Sequence, residues 1–515
     1  MSKCLESEAR EDVKVPLPED RIPVIVGVGE IVDRPKEIAA GLEPLTLLEE
    51  ALKRAEADSG AKLLGEIGSL DVVNFLSWRY RDPEKQLATR IGANPSHLYY
   101  GPVGGESPIR YLHEAALRIA RGECSVAAVC GAEAQSTATK AQRAGIELPW
   151  TPFAHDVEEP KRGAAFQKPL AVTLGVFRPI TVYPLYETAT SAHWGQTPRE
   201  ALKESGKLWS TYSDAAAENP NSWLKKRFAP EEITRPSPEN RLIAWPYTKL
   251  MVANPTVNMG GAILMTSRTK ARAAGIAEDR LIYPLGGASA EEPRDYLVRD
   301  QFFESHPQNA VLKAVMDLVE GDGKKFDAIE LYSCFPCVPK MARRTLGLGA
   351  DVQPTVTGGL TFFGAPLNTY MTHAACAMVR KMRDGAGLGL LYGQGGFVTK
   401  HHALVLSRQP PKEAMKQDTS VQAEADRNKR KVPAFVTEAS GKGKVKSFTV
   451  IYRGNGEVEH GVTMLRTEDD RRTLARVPAS DEKTLARLRD LDRTPVGTLG
   501  EIAMAEDGVP EWRVG

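Results

Sequence analysis

Gly358-Gly359-Leu360-Thr361-Phe362-Phe363-Gly364-Ala365-Pro366 is a glycine-rich turn that runs into a helix-like stretch over 368–382, and the residue before its proline is Ala365. Around it, apolar spacing predicts a helix over 309–320 and a strand over 327–333, with further periodic segments at 339–346, 370–383, 388–392 and 403–407. A comparable order stands at the start of the chain. Residues 21–29 are a short β-branched run closed by glycine, followed by a helical pattern over 44–59, strands over 69–77 and 97–103, helices over 83–92 and 107–122, and a buried strand over 125–132. Strands alternating with helices imply parallel sheets joined by right-handed crossovers. The same layout twice implies two helix-covered sheets that bury their inner helices against one another, a layered α/β/α/β/α body.

This pattern divides the chain. The first half is expected over 21–134 and 257–267, where 260–266 reads as its last strand, and the second half over 268–408. Between them, residues 135–256 are rich in Pro, Trp, Tyr and Asn without a sustained period, too long for a plain connection, and are expected to form a loop subdomain over a site. The charged, proline-bearing stretch 409–432 reads as a linker. From 433 to 515 short strands at 446–452, 458–465 and 474–477, turn signals and a helical stretch at 482–489 suit a small OB-like β-barrel.

The chain has 515 residues, 42% of them apolar, and a formal net charge of +1. That charge gives no electrostatic reason to propose nucleic acid or an anionic membrane as partner. The barrel region repeats the point, since residues 421–515 carry 17 Lys/Arg against 16 Asp/Glu and a single-strand groove needs a basic, aromatic face. No apolar run approaches the ~18 residues of a membrane span, and residues 1–20 are polar rather than signal-like, so a cytoplasmic address is expected. Six irregularly spaced cysteines suit a reducing compartment.

Several elements in order resemble the thiolase superfamily over 21–408. The glycine turn 358–366 is similar to its Gly-His-Pro motif, with Ala365 in place of the histidine. Gly104-Gly105-Glu106-Ser107-Pro108, leading to Ala115-Ala116, Arg121-Gly122 and Val129-Cys130-Gly131-Ala132-Glu133, resembles the nucleophile helix and the strand after it. His193-Trp194-Gly195-Gln196-Thr197-Pro198, with Asn219-Pro220, is similar to the loop region of sterol-carrier-type thiolases, and Glu330-Leu331-Tyr332-Ser333-Cys334-Phe335 to their third motif. With the extra C-terminal module, the chain resembles the thiolase-like proteins of type 1. The resemblance implies a duplicated five-layer fold, a small-molecule acyl substrate such as acyl-CoA, no resident cofactor or metal, and a homodimer or monomer.

It also places the reactive positions. A thiolase needs a cysteine at the N-terminus of the buried helix, where backbone N–H groups and the helix dipole stabilise the thiolate. That position falls on Gly105, the second cysteine's Cys-x-Gly matches Leu391-Tyr392-Gly393 and so lacks its cysteine, and the third motif's His or Asn falls on Tyr332. Ser107 is the nearest hydroxyl, but Ser followed by Pro108 also reads as a helix cap with proline at N1. The expectation is an acyltransferase-type protein without a cysteine acyl-enzyme, or a non-catalytic acyl-ligand carrier or scaffold. Candidate catalytic residues are Tyr332, Cys334 and His402, the last weighed with His401; candidate substrate-binding residues are Gly105, Glu106, Ser107, Gly359, Gly364, Ala365, Asn368 and Gly393. Cys334, Tyr332 and the histidines have plainer readings as packing, strand-end and turn residues. Cys334-x-x-Cys337 with His373-x-x-Cys376 has zinc-ligand spacing, yet His373 and Cys376 sit in an Ala-rich helix, so no metal is expected.

Overall fold

The computed structural model describes residues 17–515; most of the polar N-terminal stretch 1–20, with Cys4, lies outside them. In chain order the first half supplies β1 (Pro23–Val32), α1 (Pro44–Ser59), β2 (Ser69–Val72), β3 (His97–Tyr100), α2 (Ser107–Arg121) and β4 (Val126–Ala134). Helices α3 (Pro179–His193) and α4 (Pro198–Glu218) and the short strands β5 (Leu242–Ala244) and β6 (Tyr247–Thr248) follow, before β7 (Asn258–Ser267) rejoins the first sheet. The second half brings β8 (Tyr283–Glu291), α5 (His306–Asp317), β9 (Ala328–Leu331), α6 (Cys337–Thr345), α7 (Tyr370–Arg383), β10 (Leu388–Gly395) and β11 (Lys400–Ser407).

The first sheet runs β1-β7-β4-β2-β3, and the second β8-β11-β10-β9. Helices α2 and α7 lie against each other between the sheets, α1 covers the outer face of the first and α5 that of the second. The α1 packing follows from sequence: Leu45, Leu48, Leu52 and Ala55 form one buried stripe, each fully buried leucine contributing about 1.5–3 kcal/mol. Gly27 and Gly29 of β1 let the helix close in, since a Cβ at either would collide with the carbonyl of Ala55 or Ala51. Helix α7 is buried on every side from Tyr370 to Val379, as a central layer must be.

The two halves are unequal. Where β3 completes the first sheet, the second has irregular chain around Pro354, whose carbonyl accepts from Leu331 N–H of β9 at 2.9 Å. Proline offers no N–H, and the N–H groups of Val356 and Thr357 go to the Glu330 carboxylate instead of a ladder.

The C-terminal strands β12 (Gly441–Tyr452), β13 (Val458–Thr467), β14 (Arg472–Pro478), β15 (Leu499–Met504) and β16 (Pro510–Val514) close on themselves in the order β12-β13-β14-β16-β15-β12, with β14 and β16 parallel. This five-stranded barrel is OB-like. Its core holds Phe448, Val450, Leu465, Val477, Leu485, Ile502 and Trp512, whose indole N–H reaches the Gly443 carbonyl. The barrel is docked rather than tethered: β5 extends its sheet by pairing Ala244 with Ile451, Thr188 of α3 exchanges hydrogen bonds with the Phe448 backbone, and Arg472 donates to the carbonyls of Leu297 and Arg299. The charged stretch before it also packs, as Thr419 and Val421 bond to Ser289 of β8. Among the described residues no helix is long and apolar enough to cross a membrane.

Candidate functional site

The N-terminus of α2 meets the ends of β9 and β10, and the glycine turn lies beyond them against Ser333. Glu106 precedes the helix, favoured there by the positive end of its dipole, and Ser107 is its first residue. Ser107 Oγ donates to the Pro102 carbonyl at 3.4 Å instead of capping the helix.

Gly105 has no room for a side chain. A Cβ there would collide with the Tyr332 hydroxyl and stand 2.5 Å from the Gln394 carbonyl oxygen. The slot that would hold a nucleophile is filled by Tyr332, which is 6% exposed, and burial holds its hydroxyl protonated. Beside it Lys400, at the start of β11, pairs with Glu106 at 2.6 Å and donates to the Val103 carbonyl at 2.8 Å. Both charged residues are almost wholly buried, so this pair closes the mouth of α2.

Cys334 stands close by, accepting from Gln394 Nε2 at 3.2 Å, and Gln394 also donates to the Tyr183 hydroxyl at 2.7 Å. Burial pushes the Cys334 thiol up to about 12, the reverse of what a thiolate nucleophile requires. Gly393 packs against the Glu106 backbone and Ile109.

Gly358, Gly359 and Gly364 take positive φ, which glycine allows without strain. The turn is covered by the segment between the halves: Asn254 bonds to Leu360 and Ala365 backbone, and Trp223 and Leu224 N–H groups reach the carbonyls of Phe363 and Phe362. Gly359 sits against Tyr212 and Ser333, Gly364 against Val257 and Met259, and Asn368 Nδ2 donates to the Asn74 carbonyl at 3.3 Å.

The structure thus brings Gly105, Glu106, Tyr332, Cys334 and Gly393 together, with Gly359 one residue removed. His402 is not among them. Strand alternation turns His401 and His402 to opposite faces. His401 bonds to Tyr392 at 2.7 Å, while His402 Nε2 meets His113 Nδ1 of α2 at 3.1 Å, six residues or roughly 9 Å down the helix from Ser107. Burial drives His402 well below its usual value and His113 down to about 4, so both rings are neutral. The zinc-like pairs do not converge, since the Cys337 thiol faces the Tyr183 carbonyl and Cys376 the Ala262 carbonyl.

Sequence reasoning missed Lys400, Gln394 and Tyr183. It also missed the role of Glu330, whose carboxyl accepts from Thr355, Val356, Thr357 and Tyr370 and is pushed up to about 7 by burial. The lysine after the glycines of 393–396 was the one available signal.

Residues 421–507 match the family described as the thiolase-like protein type 1 additional C-terminal domain. The chain is similar to a monomeric SCP2-thiolase-like protein type 1 from Mycobacterium smegmatis, with 27% identity, a TM-score of 0.80, and coverage of 96% of this chain and 99% of that one. An acetyl-CoA acetyltransferase from Syntrophomonas wolfei (13% identity, TM-score 0.54) and the human mitochondrial 3-ketoacyl-CoA thiolase (12%, 0.55) each cover 75% of this chain and 99% of their own, and share the fold. Curated protein sequences return no match.

Proposed function

We propose, for a chain that is a thiolase-like protein of type 1 carrying the additional C-terminal domain, that it binds an acyl-CoA or related acyl ligand as a carrier or scaffold and does not condense or cleave it. What carries the reading is the slot at Gly105, filled by the Tyr332 hydroxyl and walled by the Gln394 carbonyl. Covalent acyl transfer needs a nucleophile activated by a base within hydrogen-bond reach. Here the nearest thiol is held protonated and the nearest histidines are neutral and turned elsewhere. The Mycobacterium smegmatis relative is described as monomeric, which supports a monomer here too.

A second reading keeps acyl transfer and uses Tyr332 and Cys334. It is favoured by the one fact that both side chains stand at the mouth of α2. Calorimetry and turnover assays with acetyl-CoA and acetoacetyl-CoA separate the two. The carrier binds without turnover, and Tyr332→Phe and Cys334→Ser change affinity alone; a rate that falls in these variants while binding persists establishes the enzyme. Absence of binding to either thioester defeats both.

A further inference from the structure

A second space adjoins the closed slot. At the carboxyl ends of β2 and β3, where open α/β sheets bind their ligands, lies a cleft of about 430 Å³. That is within the range of small-molecule sites. Its inner wall is the back of the closed slot: Val103, whose carbonyl holds Lys400, and Asn74, whose carbonyl holds Asn368.

The lining is part aromatic and part charged, with Glu158, Glu159 and Lys161 beside Arg79 and Arg294. Trp78, Tyr100, Phe153 and Phe166 give an aromatic wall, and the Trp78 ring is fixed by its N–H bond to the Thr151 carbonyl and by edge contacts to Trp150 and Phe153. At the inner end Asn74, 5% exposed, donates through Nδ2 to the Gly101 carbonyl and leaves Oδ1 with no hydrogen-bond partner. A buried amide oxygen without a donor is costly, and a ligand that supplies one recovers that cost. On the other side of the cleft Arg294 lies over the Phe166 ring at 4.7 Å, and among the described residues no carboxylate pairs with its guanidinium. Its neighbour Arg79 is engaged by the Val157 carbonyl and Glu159.

The geometry points to this cleft as a binding site for a small amphipathic organic anion. The ligand sets an anionic group on Arg294, a flat apolar body against the aromatic wall, and an O–H or N–H donor on Asn74 Oδ1. The inference rests on the reading that the fold binds rather than transforms its ligand, and it puts the ligand beside the filled slot instead of in it.

Three probes test it on the full chain by calorimetry: 3-(4-hydroxyphenyl)propionate, its carboxylate-free alcohol, and 3-phenylpropionate without the phenol. The expected order places the hydroxyphenyl acid first, with each truncated probe weaker by roughly tenfold. Arg294→Gln removes the preference for the acid over the alcohol, and Arg294→Lys, which keeps the charge, retains most of it; melting temperatures equal to the wild type certify both variants. No binding, or equal binding of acid and alcohol, overturns the site. Acyl-CoA binding that Arg294→Gln leaves intact and the hydroxyphenyl acid does not displace keeps the proposed function and discards the cleft. Binding of the acid with none of acyl-CoA does the opposite.

Discussion

At the mouth of α2 the space is taken by the protein's own side chains: Tyr332 fills the volume above Gly105, and Lys400 and Glu106 neutralise each other beside it. A few residues away, past Val103, Trp78 and Arg294 line a cleft and leave it open, with the Asn74 amide oxygen and the Arg294 guanidinium without a hydrogen-bond or carboxylate partner among the described residues. The segment from Pro102 to Glu106 that leads into α2 borders both regions. The difference teaches that the frame does not depend on what fills the mouth of α2, because what keeps α2 and α7 together is buried apolar surface and not the groups at their ends.

The sharpest way to break that contrast is to open the filled side. Lys400→Met strands the Glu106 carboxylate in a buried site, and removing one partner of such a pair costs about 3–5 kcal/mol. Thermal and denaturant unfolding read the loss, whereas a change within error shows that the pair does not seal the mouth. Next in size is the charge of Glu330. Burial raises its carboxyl from 4.5 to about 7, so its contribution is full below the unfolded value and is lost as pH rises through 7, by about 3 kcal/mol at 1.36 kcal/mol per unit. Glu330→Gln lacks this ionisation, so its melting temperature rises relative to wild type between pH 5 and pH 8. A difference that stays flat, or runs the other way, contradicts a neutral Glu330. Smaller again, Gly105→Ala forces a methyl against Tyr332 and Gln394 and destabilises by about 1–3 kcal/mol. An Ala variant as stable as wild type means that the slot is roomier than described.

Much of this frame was legible in advance, and the reasons are local. The alternation of β-branched runs with helical stripes marked both halves, and the glycines of 358–364 marked a turn whose positive φ angles only glycine takes freely. Turn signals between short strands marked the barrel. What escaped was long-range. Leu242–Ala244 is too short to show a period, so its addition to the barrel sheet could not be read. Glu106 and Lys400 are remote in sequence, and although Glu106 stood in a motif that marked it, nothing in that motif pointed to Lys400 as its partner. Tyr332 aligned with a reactive position, but only the structure shows its hydroxyl occupying the neighbour's space. His402 was drawn to the site by its closeness to Gly393 in the chain, while strand alternation and His113 direct it along α2. The second half was expected to repeat the first, yet the chain around Pro354 gives its N–H groups to the Glu330 carboxylate instead of adding a strand beside β9.

The most direct test of the closed centre is the intact mass of the protein after exposure to acetyl-CoA and acetoacetyl-CoA, followed by peptide mapping. The account predicts an unmodified chain at every time point, with ligand retained only under non-denaturing conditions. An acyl group covalently attached at Cys334 or Tyr332 contradicts it.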